Sequence, residues 1–539
     1  MNGPALPAIV AHLARFLGAG ETGDRRAAEM AAALACQATQ AGHVCADLDH
    51  EAGWGPWAEQ MDAAQRAAWR ARLPDLAIVG GADDWTPLVW DGRRLYLRRY
   101  WDYERQVAAD LLARADAVVP LPAALEARLA ELFADAGQRH AARVALSRRL
   151  CLVSGGPGTG KTTTLARMLA LMQAQAGSLP LRIALAAPTG KAAARMAEAV
   201  RHAGAAVAVQ AQTLHRLLGM RGDGSGFRHG RERPLALDVL VIDEASMIDL
   251  SLMAHLLAAL PDSARLIMLG DRDQLAAVEA GAVFADLCAS PRLADCVALL
   301  ATSFRFGDAG GIGRLAACLR AGDAAGASER LAAGGPDLAW QAQGDLHALI
   351  AAARAGYRPY LEAVAAGRPP AELFGGFSRF RVLCAHRSDV AAINRALAGD
   401  DVLRPMAGMP VMVVRNDPLL RLFNGDIGLV LPDPADGNLK VCFAGDAGLR
   451  WIPLARLPAW EPAWALTVHK SQGSEFEEVL LAMPAAVSPP FSSIATRELV
   501  YTGVTRARRR VALWAETAVL RAAIESRAER MSGLRGRLL

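Results

Sequence analysis

The sequence predicts an α/β protein of several domains: a mainly helical N-terminal unit, two domains built on parallel sheets, and a small β-barrel inserted in the second. Three observations carry this. Between about 123 and 300, short apolar runs alternate with helical periodicity, the pattern of a parallel sheet with helices on both faces. Between about 400 and 455 the strands are instead separated by Asn424-Gly425-Asp426 and Asp436-Gly437-Asn438, turn sequences that join antiparallel strands. The chain has 539 residues, too many for one hydrophobic core.

Composition narrows the class. Hydrophobic residues make up 53% of the chain and the formal net charge is +4, which permits a nucleic-acid partner without demanding one. The eight cysteines, at 36, 45, 151, 288, 296, 318, 384 and 442, form no C-x-x-C pair, so neither a zinc site nor a disulfide framework is indicated, and a reducing cytoplasm fits. The first residues lack the basic-then-apolar order of a signal peptide. The uncharged run Val479 to Thr496 is long enough to span a membrane, but Pro484, Pro489 and Pro490 mark it as a loop.

Residues 1–110 read as a separate unit. Leu6, Ile9, Val10, Leu13, Phe16 and Leu17 share one helical face, a second helix is predicted over Arg25–Ala41, and Leu95-Tyr96-Leu97 reads as a strand leading to a helix near Glu104–Ala113. Trp54, Trp57, Trp69, Trp85, Trp90 and Trp101 are dense for so short a segment, as core or as an interface with another protein. Val118 to Pro122 reads as a linker.

Strands are predicted at 150–153, 182–187, 238–242 and 265–269. Directly after the first comes Gly155-Gly156-Pro157-Gly158-Thr159-Gly160-Lys161-Thr162-Thr163, which fits G-x-x-x-x-G-K-[ST]. Glycines let backbone N–H groups turn toward phosphate oxygens, the following helix, from Thr162 to about Met172, adds the positive end of its dipole, Lys161 supplies a cation, and the Thr162 hydroxyl can ligate Mg²⁺. The pattern calls for a nucleoside triphosphate such as ATP. The strand 238–242 ends in Asp243 and Glu244, suited to the Mg²⁺ shell and to activating a water. The strand 265–269 runs into Gly270-Asp271-Arg272-Asp273-Gln274, where Gln274 can touch a terminal phosphate and Asp271 or Asp273 can serve as helix caps.

From about 300 a second sheet is expected, with Arg305 in an apolar setting and a strand at Phe380–Ala385. Two polar segments follow, Thr467-Val468-His469-Lys470-Ser471-Gln472-Gly473-Ser474-Glu475-Phe476 and Tyr501-Thr502-Gly503-Val504-Thr505-Arg506. Arg506 is read at a threonine-capped helix start, aimed at a cleft; Arg508 to Arg510 read equally well as a solvated helix end.

Together these segments resemble the superfamily 1 helicases. Gln138 resembles their adenine-reading glutamine, residues 155–163 motif I, Ala187-Pro188-Thr189-Gly190-Lys191-Ala192-Ala193 motif Ia, Thr213-Leu214-His215-Arg216-Leu217-Leu218-Gly219 motif Ib, Asp243-Glu244 motif II, Gly270–Gln274 motif III, Arg305 motif IV, and 467–476 and 501–510 motifs V and VI. The forms Gly-Gly-Pro-Gly-Thr-Gly-Lys-Thr-Thr, Pro-Thr-Gly-Lys-Ala-Ala and Val-His-Lys-Ser-Gln-Gly-Ser-Glu-Phe are similar to the RecD branch, the alpha subunit of exodeoxyribonuclease V.

The resemblance implies two RecA-like domains, 123–300 and 301–400 with 456–539, an SH3-like barrel over 401–455, and a docking domain over 1–110. It implies ATP and Mg²⁺ as cofactors, with Thr162 and Asp243 on the metal, Gly473 and Glu475 near the nucleotide sugar, and Arg305 and Arg506 on the γ-phosphate, where such arginines are worth roughly 10³–10⁵ in rate. It implies 5′→3′ movement on single-stranded DNA within a heterotrimer with RecB-like and RecC-like subunits acting on double-stranded ends in recombination and repair, the nuclease lying on a partner. DNA contacts fall to Pro188, Thr189, Lys191, Thr213, His215, Thr467, His469 and Lys470, His469 being equally readable as an orienter of the phosphate site. Trp451, Trp460, Trp464 and Phe423 are base stackers or core. A stand-alone RecD-like helicase, for whose larger N-terminal extension there is no room, and a subunit that keeps the fold without the motor are the alternatives.

Overall fold

The computed structural model describes residues 6–176, 180–202, 211–222, 226–305, 310–342, 345–399, 406–417, 419–445, 448–483 and 495–539. The chain divides into two compact units: Met1–Arg272 with Ala276–Thr302 and Glu529–Leu539, and Asp273–Leu275 with Ser303–Ala528.

The first unit opens with helices Ala8–Gly18 and Arg25–Gln40 packed on each other. The buried face of the first is Val10, Ala14 and Gly18, whereas Ile9 and Phe16, expected inside, are 60% and 70% exposed. Small residues win because the partner helix comes close: a Cβ on Gly18 would lie 2.4 Å from Glu29 Cγ. Strands β1 (Ala46–Asp47), β2 (Val79–Gly80), β3 (Leu88–Trp90) and β4 (Arg94–Leu97) form a small mixed sheet in the order β1-β4-β3-β2. Trp54, Trp69 and Trp101 are buried, whereas Trp85 is 96% exposed. β4 runs straight into helix Arg98–Asp116, longer than expected, which packs on helix Leu250–Ala259.

The main sheet is parallel throughout: β5 (Leu150–Gly155), β6 (Ile183–Ala187), β7 (Ala211–Thr213), β8 (Val239–Ile242), β9 (Arg265–Gly270) and β10 (Val297–Leu300), in the order β10-β5-β9-β8-β6-β7. Successive residues alternate between two cores. Leu150, Leu152, Leu240, Ile242, Leu266 and Met268 join Val107, Leu111, Met253 and Leu257. Cys151, Val153, Val239, Val241, Ile267 and Leu269 join Leu165, Leu169 and Leu146. β10, a strand the sequence did not predict, adds to the edge of this sheet by pairing with β5 from Val297↔Leu152 to Leu300↔Gly155. The final segment Glu529–Leu539 also belongs to this unit, and Leu534 and Leu538 enter its core.

The second unit holds a parallel sheet of β11 (Leu338–Gln341), β12 (Phe380–Cys384), β18, β19 and β20, interrupted by an antiparallel sheet of β13 (Pro410–Val413), β14 (Ile427–Pro432), β15 (Leu439–Gly445), β16 (Gly448–Ile452) and β17 (Trp460–Pro462). The strands after the interruption are β18 (Ala465–Thr467), β19 (Phe476–Ala482) and β20 (Ala507–Trp514), and the parallel order is β11-β20-β19-β12-β18. The antiparallel order is β16-β15-β14-β13-β17, with the two expected turns joining β13 to β14 and β14 to β15 through Gly425 at φ 93° and Gly437 at φ 71°. Of the run expected to be a loop, Val479–Ala482 is instead buried strand β19, and 484–494 lie outside the described residues. Among the described residues no helix is long and apolar enough to cross a membrane.

Candidate nucleotide and DNA-contact site

Because the six strands of the first sheet run parallel, their C-terminal ends share one edge, and the chemistry-bearing residues collect there. β5 ends at Gly155, β6 is followed by Pro188 and Thr189, β7 ends at Thr213, β8 is followed by Asp243 and Glu244, and β9 ends at Gly270. From β5 the chain moves to β6 on one side and reaches β10 on the other, the switch point at which open parallel sheets hold ligands.

The loop between β5 and helix Lys161–Gln175 is shaped by glycine. Gly158 and Gly160 have φ of 79° and 77°, a region costly for any other residue. A Cβ on Gly155 would meet Thr159 Oγ1 at 2.7 Å and Leu300 Cβ at 2.9 Å. The Thr159 hydroxyl donates to Gly156 O at 2.9 Å and that of Thr164 to Gly160 O at 2.9 Å, which fix the turn. Lys161 Nζ arches over the loop and donates to the carbonyls of Gly155 and, at 3.1 Å, Gly156. Gly156, Pro157, Gly158 and Thr162 are half-buried and Thr163 is exposed. Gln138, 8% exposed near the start of helix Ala136–Ser147, reaches the same loop through Nε2 to Thr159 O at 3.4 Å. Ser154, which the motif reading passed over, accepts from Arg272 N at 3.2 Å and ties the segment after β9 to the loop's strand.

Asp243 Oδ1 accepts from Glu244 N at 2.9 Å. Burial pushes the Asp243 carboxyl up to about 6, the neighbouring Glu244 adds to that, and Lys161 and Arg195 oppose it. A carboxylate so placed gains from a nearby cation. With the Thr162 hydroxyl it fits a Mg²⁺ that keeps several water or phosphate oxygens, the usual habit of that ion. Glu244 stands at φ 53°, in the left-handed region, and turns the chain into the short helix Ala245–Met247.

On the same edge the predicted DNA contacts Thr189 and Thr213 each begin a helix. Thr189 Oγ1 accepts from Ala192 N at 3.3 Å and Thr213 Oγ1 from Arg216 N at 3.2 Å. A hydroxyl that accepts from the backbone still has its own proton for a phosphate. Lys191 and His215 are exposed and Pro188 half-buried. Register places Ala187 beside Thr213, so motifs Ia and Ib are neighbours.

In the second unit, Gln274 Oε1 accepts from Arg506 Nη2 at 2.9 Å; Arg506 is 2% exposed and also donates to Ser474 O and Thr502 O, each at 3.2 Å. Arg506 follows the end of helix Arg497–Thr505, a correction to the helix start expected for it, and Arg508–Arg510 lie on β20 rather than at a helix end. Residues 273–275 join this unit through hydrogen bonds that the sequence does not signal: Leu275 N donates to Thr502 Oγ1 at 3.0 Å and Leu275 O accepts from Gln472 Nε2 at 2.9 Å. Gly473, at φ 70°, turns the chain toward Glu475, which pairs with Arg305 and Arg508. Thr467 is 8% exposed and its hydroxyl accepts from Lys470 N at 3.3 Å; Lys470 Nζ pairs with Glu461 at 2.7 Å; His469 is half-buried. Of the candidate stackers, Trp464 is core, 2% exposed and edge-on to Tyr357 at 5.0 Å. Trp451 and Trp460 flank that core, and Phe423 is 54% exposed.

Known proteins match along the chain. Residues 5–96 match the profile of the RecBCD enzyme subunit RecD, N-terminal domain, residues 138–280 an AAA domain, and residues 462–514 a UvrD-like helicase C-terminal domain. The RecBCD enzyme subunit RecD of Mycolicibacterium smegmatis is 42% identical over 95% of this chain and 93% of its own length. That of Mycobacterium tuberculosis is 42% identical over 96% and 92%. The ATP-dependent RecD2 DNA helicase of Deinococcus radiodurans is 34% identical over 67% of this chain and 46% of its own length. A crystal structure of Pif1 helicase from Candida albicans aligns with a TM-score of 0.39 at 19% identity, over 70% of this chain and 94% of that one. At 42% identity over nearly all of both sequences, the chain belongs to the RecD family of helicase subunits of the RecBCD enzyme.

Proposed function

We propose that the chain moves 5′→3′ along single-stranded DNA, driven by ATP hydrolysis, while assembled with RecB-like and RecC-like partners on double-stranded DNA ends in recombinational repair and DNA degradation. The single observation that carries the motor is the shared edge of the first sheet, where a glycine-shaped phosphate loop, Lys161, Asp243 and Glu244 meet. In this reading the loop N–H groups and Lys161 bind the triphosphate of the substrate ATP. Thr162 and Asp243 hold Mg²⁺, which neutralises phosphate charge when bound. Glu244 orients and deprotonates the attacking water, and Arg305 and Arg506 stabilise the charge that develops on the transferred phosphoryl group. Gln138 reads the adenine. The buried pair Gln274–Arg506 supports a link from the sensing amide to that arginine.

We assign residues 123–300 to the first RecA-like domain and 301–400 with 456–528 to the second; Glu529–Leu539, expected with the second, packs in the first unit instead. The antiparallel strands interrupting the second domain are the element we assign to the SH3-like barrel over 401–455, and residues 1–110 to docking on partner subunits. DNA phosphates would be gripped by Pro188, Thr189, Lys191, Thr213 and His215 and by Thr467, His469 and Lys470, contacts that carry no sequence preference. Nuclease activity is expected on a partner. The RecD subunit of Mycolicibacterium smegmatis matches over 93% of its length and RecD2 over 46%, which favours the subunit reading over the stand-alone one. The test is unwinding by the purified chain of duplexes carrying only a 5′ or only a 3′ tail. Unwinding confined to the 5′-tailed duplex is expected, and preference for the 3′ tail overturns the polarity.

A further inference from the structure

Glu475 stands between two arginines. Its Oε1 accepts from Arg305 Nη2 at 2.9 Å, and its Oε2 accepts from Arg508 Nε at 2.9 Å. The carboxylate is 11% exposed, Arg305 22% and Arg508 53%. The two arginines are held differently. Arg508 lies on β20, and Glu475 immediately precedes β19, where Phe476 pairs with Ala507. Glu475 and Arg508 therefore flank the first pair of two hydrogen-bonded strands, Arg508 standing at the register shift between Phe476↔Ala507 and Glu478↔Arg510. Arg305 lies in the irregular segment after β10, with neither helix nor strand to fix its direction.

We infer that Glu475 is a positioning residue for Arg305, backed by Arg508, and not chiefly a contact to the nucleotide sugar. The inference rests on the reading of Arg305 as a phosphate-stabilising arginine. A long side chain on an irregular segment loses rotamer freedom when it reaches a transition state, and a carboxylate that holds its guanidinium beforehand removes part of that cost. The arrangement also balances charge. The Arg305 fork can keep its Nη2 on Glu475 while another N–H reaches a phosphate, but its single charge is then shared, and a partly buried carboxylate that loses part of its counter-charge is costly. Arg508, fixed on its strand, remains to neutralise it. That gives Arg508 a role that a solvated cation would not have.

The test is steady-state, single-stranded-DNA-stimulated ATP hydrolysis by the full chain carrying Glu475→Gln, Arg508→Gln, Arg305→Ala, or Glu475→Gln with Arg305→Ala, each checked by thermal melting. A misplaced catalytic group costs up to about 100-fold, so Glu475→Gln is expected to lower kcat about 10-fold with KM for ATP unchanged. Arg508→Gln should lower kcat less, also without moving KM. In the Arg305→Ala background Glu475→Gln should cost nothing further, since its target is gone. A rise in KM at constant kcat that disappears with 3′-deoxy-ATP overturns the inference in favour of a sugar contact, and full additivity with Arg305→Ala overturns it as well. An Arg305→Ala chain with unchanged kcat overturns instead the role given to Arg305.

Discussion

At the scale of single residues, the proposed motor divides binding and chemistry between Lys161 and Glu244. Lys161 already sits over the carbonyls of Gly155 and Gly156, within its own loop, as a cation held where phosphate oxygens would compete for it. Glu244 is held at φ 53° and ψ 41°, a conformation costing about 1–3 kcal/mol that persists where the surroundings dictate it. Lys161→Gln should therefore abolish both nucleotide binding and DNA-stimulated hydrolysis. Glu244→Gln should keep binding and lower kcat about 100-fold or more, the loss expected for a general base. Fluorescent-nucleotide titration beside an ATPase assay separates them, and an active Lys161→Gln chain refutes the motor. Both residues were legible in the sequence, because a glycine-rich turn after an apolar run and two acids at the end of Val239–Ile242 have few other uses. Ser154 and Gln472 were not, because their work is to hold backbone groups 118 and 197 residues away, and no local pattern records such a partner. Arg506 stands out in the sequence, but its direction depends on where helix Arg497–Thr505 ends.

At the scale of elements, the central strands of the first sheet were readable and its edge strands were not, while the apolar run of central strand β19 was read as loop because prolines follow it. β7, Ala211-Gln212-Thr213, has no β-branched run, and β10, Val297 to Leu300, leaves Leu299 47% exposed. Both are strands only because a neighbour offers its hydrogen-bonding edge. The segment Glu529–Leu539 was invisible for a related reason. It is short, and what it needs is the buried Glu104 on helix Arg98–Asp116. That carboxylate is 0% exposed and accepts from Ser532 Oγ and Gly533 N at 2.8 Å, Arg537 Nε at 2.9 Å and Tyr96 Oη at 3.2 Å. Arg537 also lies over the Trp101 ring at 3.8 Å, and Arg535 pairs with Asp286 at 2.7 Å. Glu104→Ala removes the shared acceptor and leaves a cation and an N–H short of partners in a dry place. It should destabilise the chain by about 3 kcal/mol, read from denaturant unfolding with the native chain as reference. A loss within about 0.5 kcal/mol, the range of ordinary surface changes, would show that the C-terminal segment contributes nothing to the first unit.

At the scale of the whole molecule, the question is which surface meets other subunits. The sequence marked residues 1–110 for docking but could not say which side chains face outward, because helical periodicity put Ile9 and Phe16 inside. Packing reverses this: Ala14 and Gly18 admit the neighbouring helix, and Ile9 and Phe16, two turns apart, are left on the outer face. Trp85 is 96% exposed on a loop whose carbonyls at Gly81, Ala82 and Asp84 all accept from Arg98, so its backbone is fixed while its ring is bare. A large apolar side chain presented on a preordered loop is the usual make-up of an interface anchor, and truncating such an anchor costs about 2 kcal/mol or more, roughly 30-fold in affinity. Trp85→Ala and Phe16→Ala should each lower co-purification with RecB-like and RecC-like partners by that order while leaving the melting temperature of the isolated chain unmoved, since neither side chain contributes to its core. Assembly at native affinity in the double variant would move the docking surface away from Phe16 and Trp85, and the exposed rings would then need another occupant.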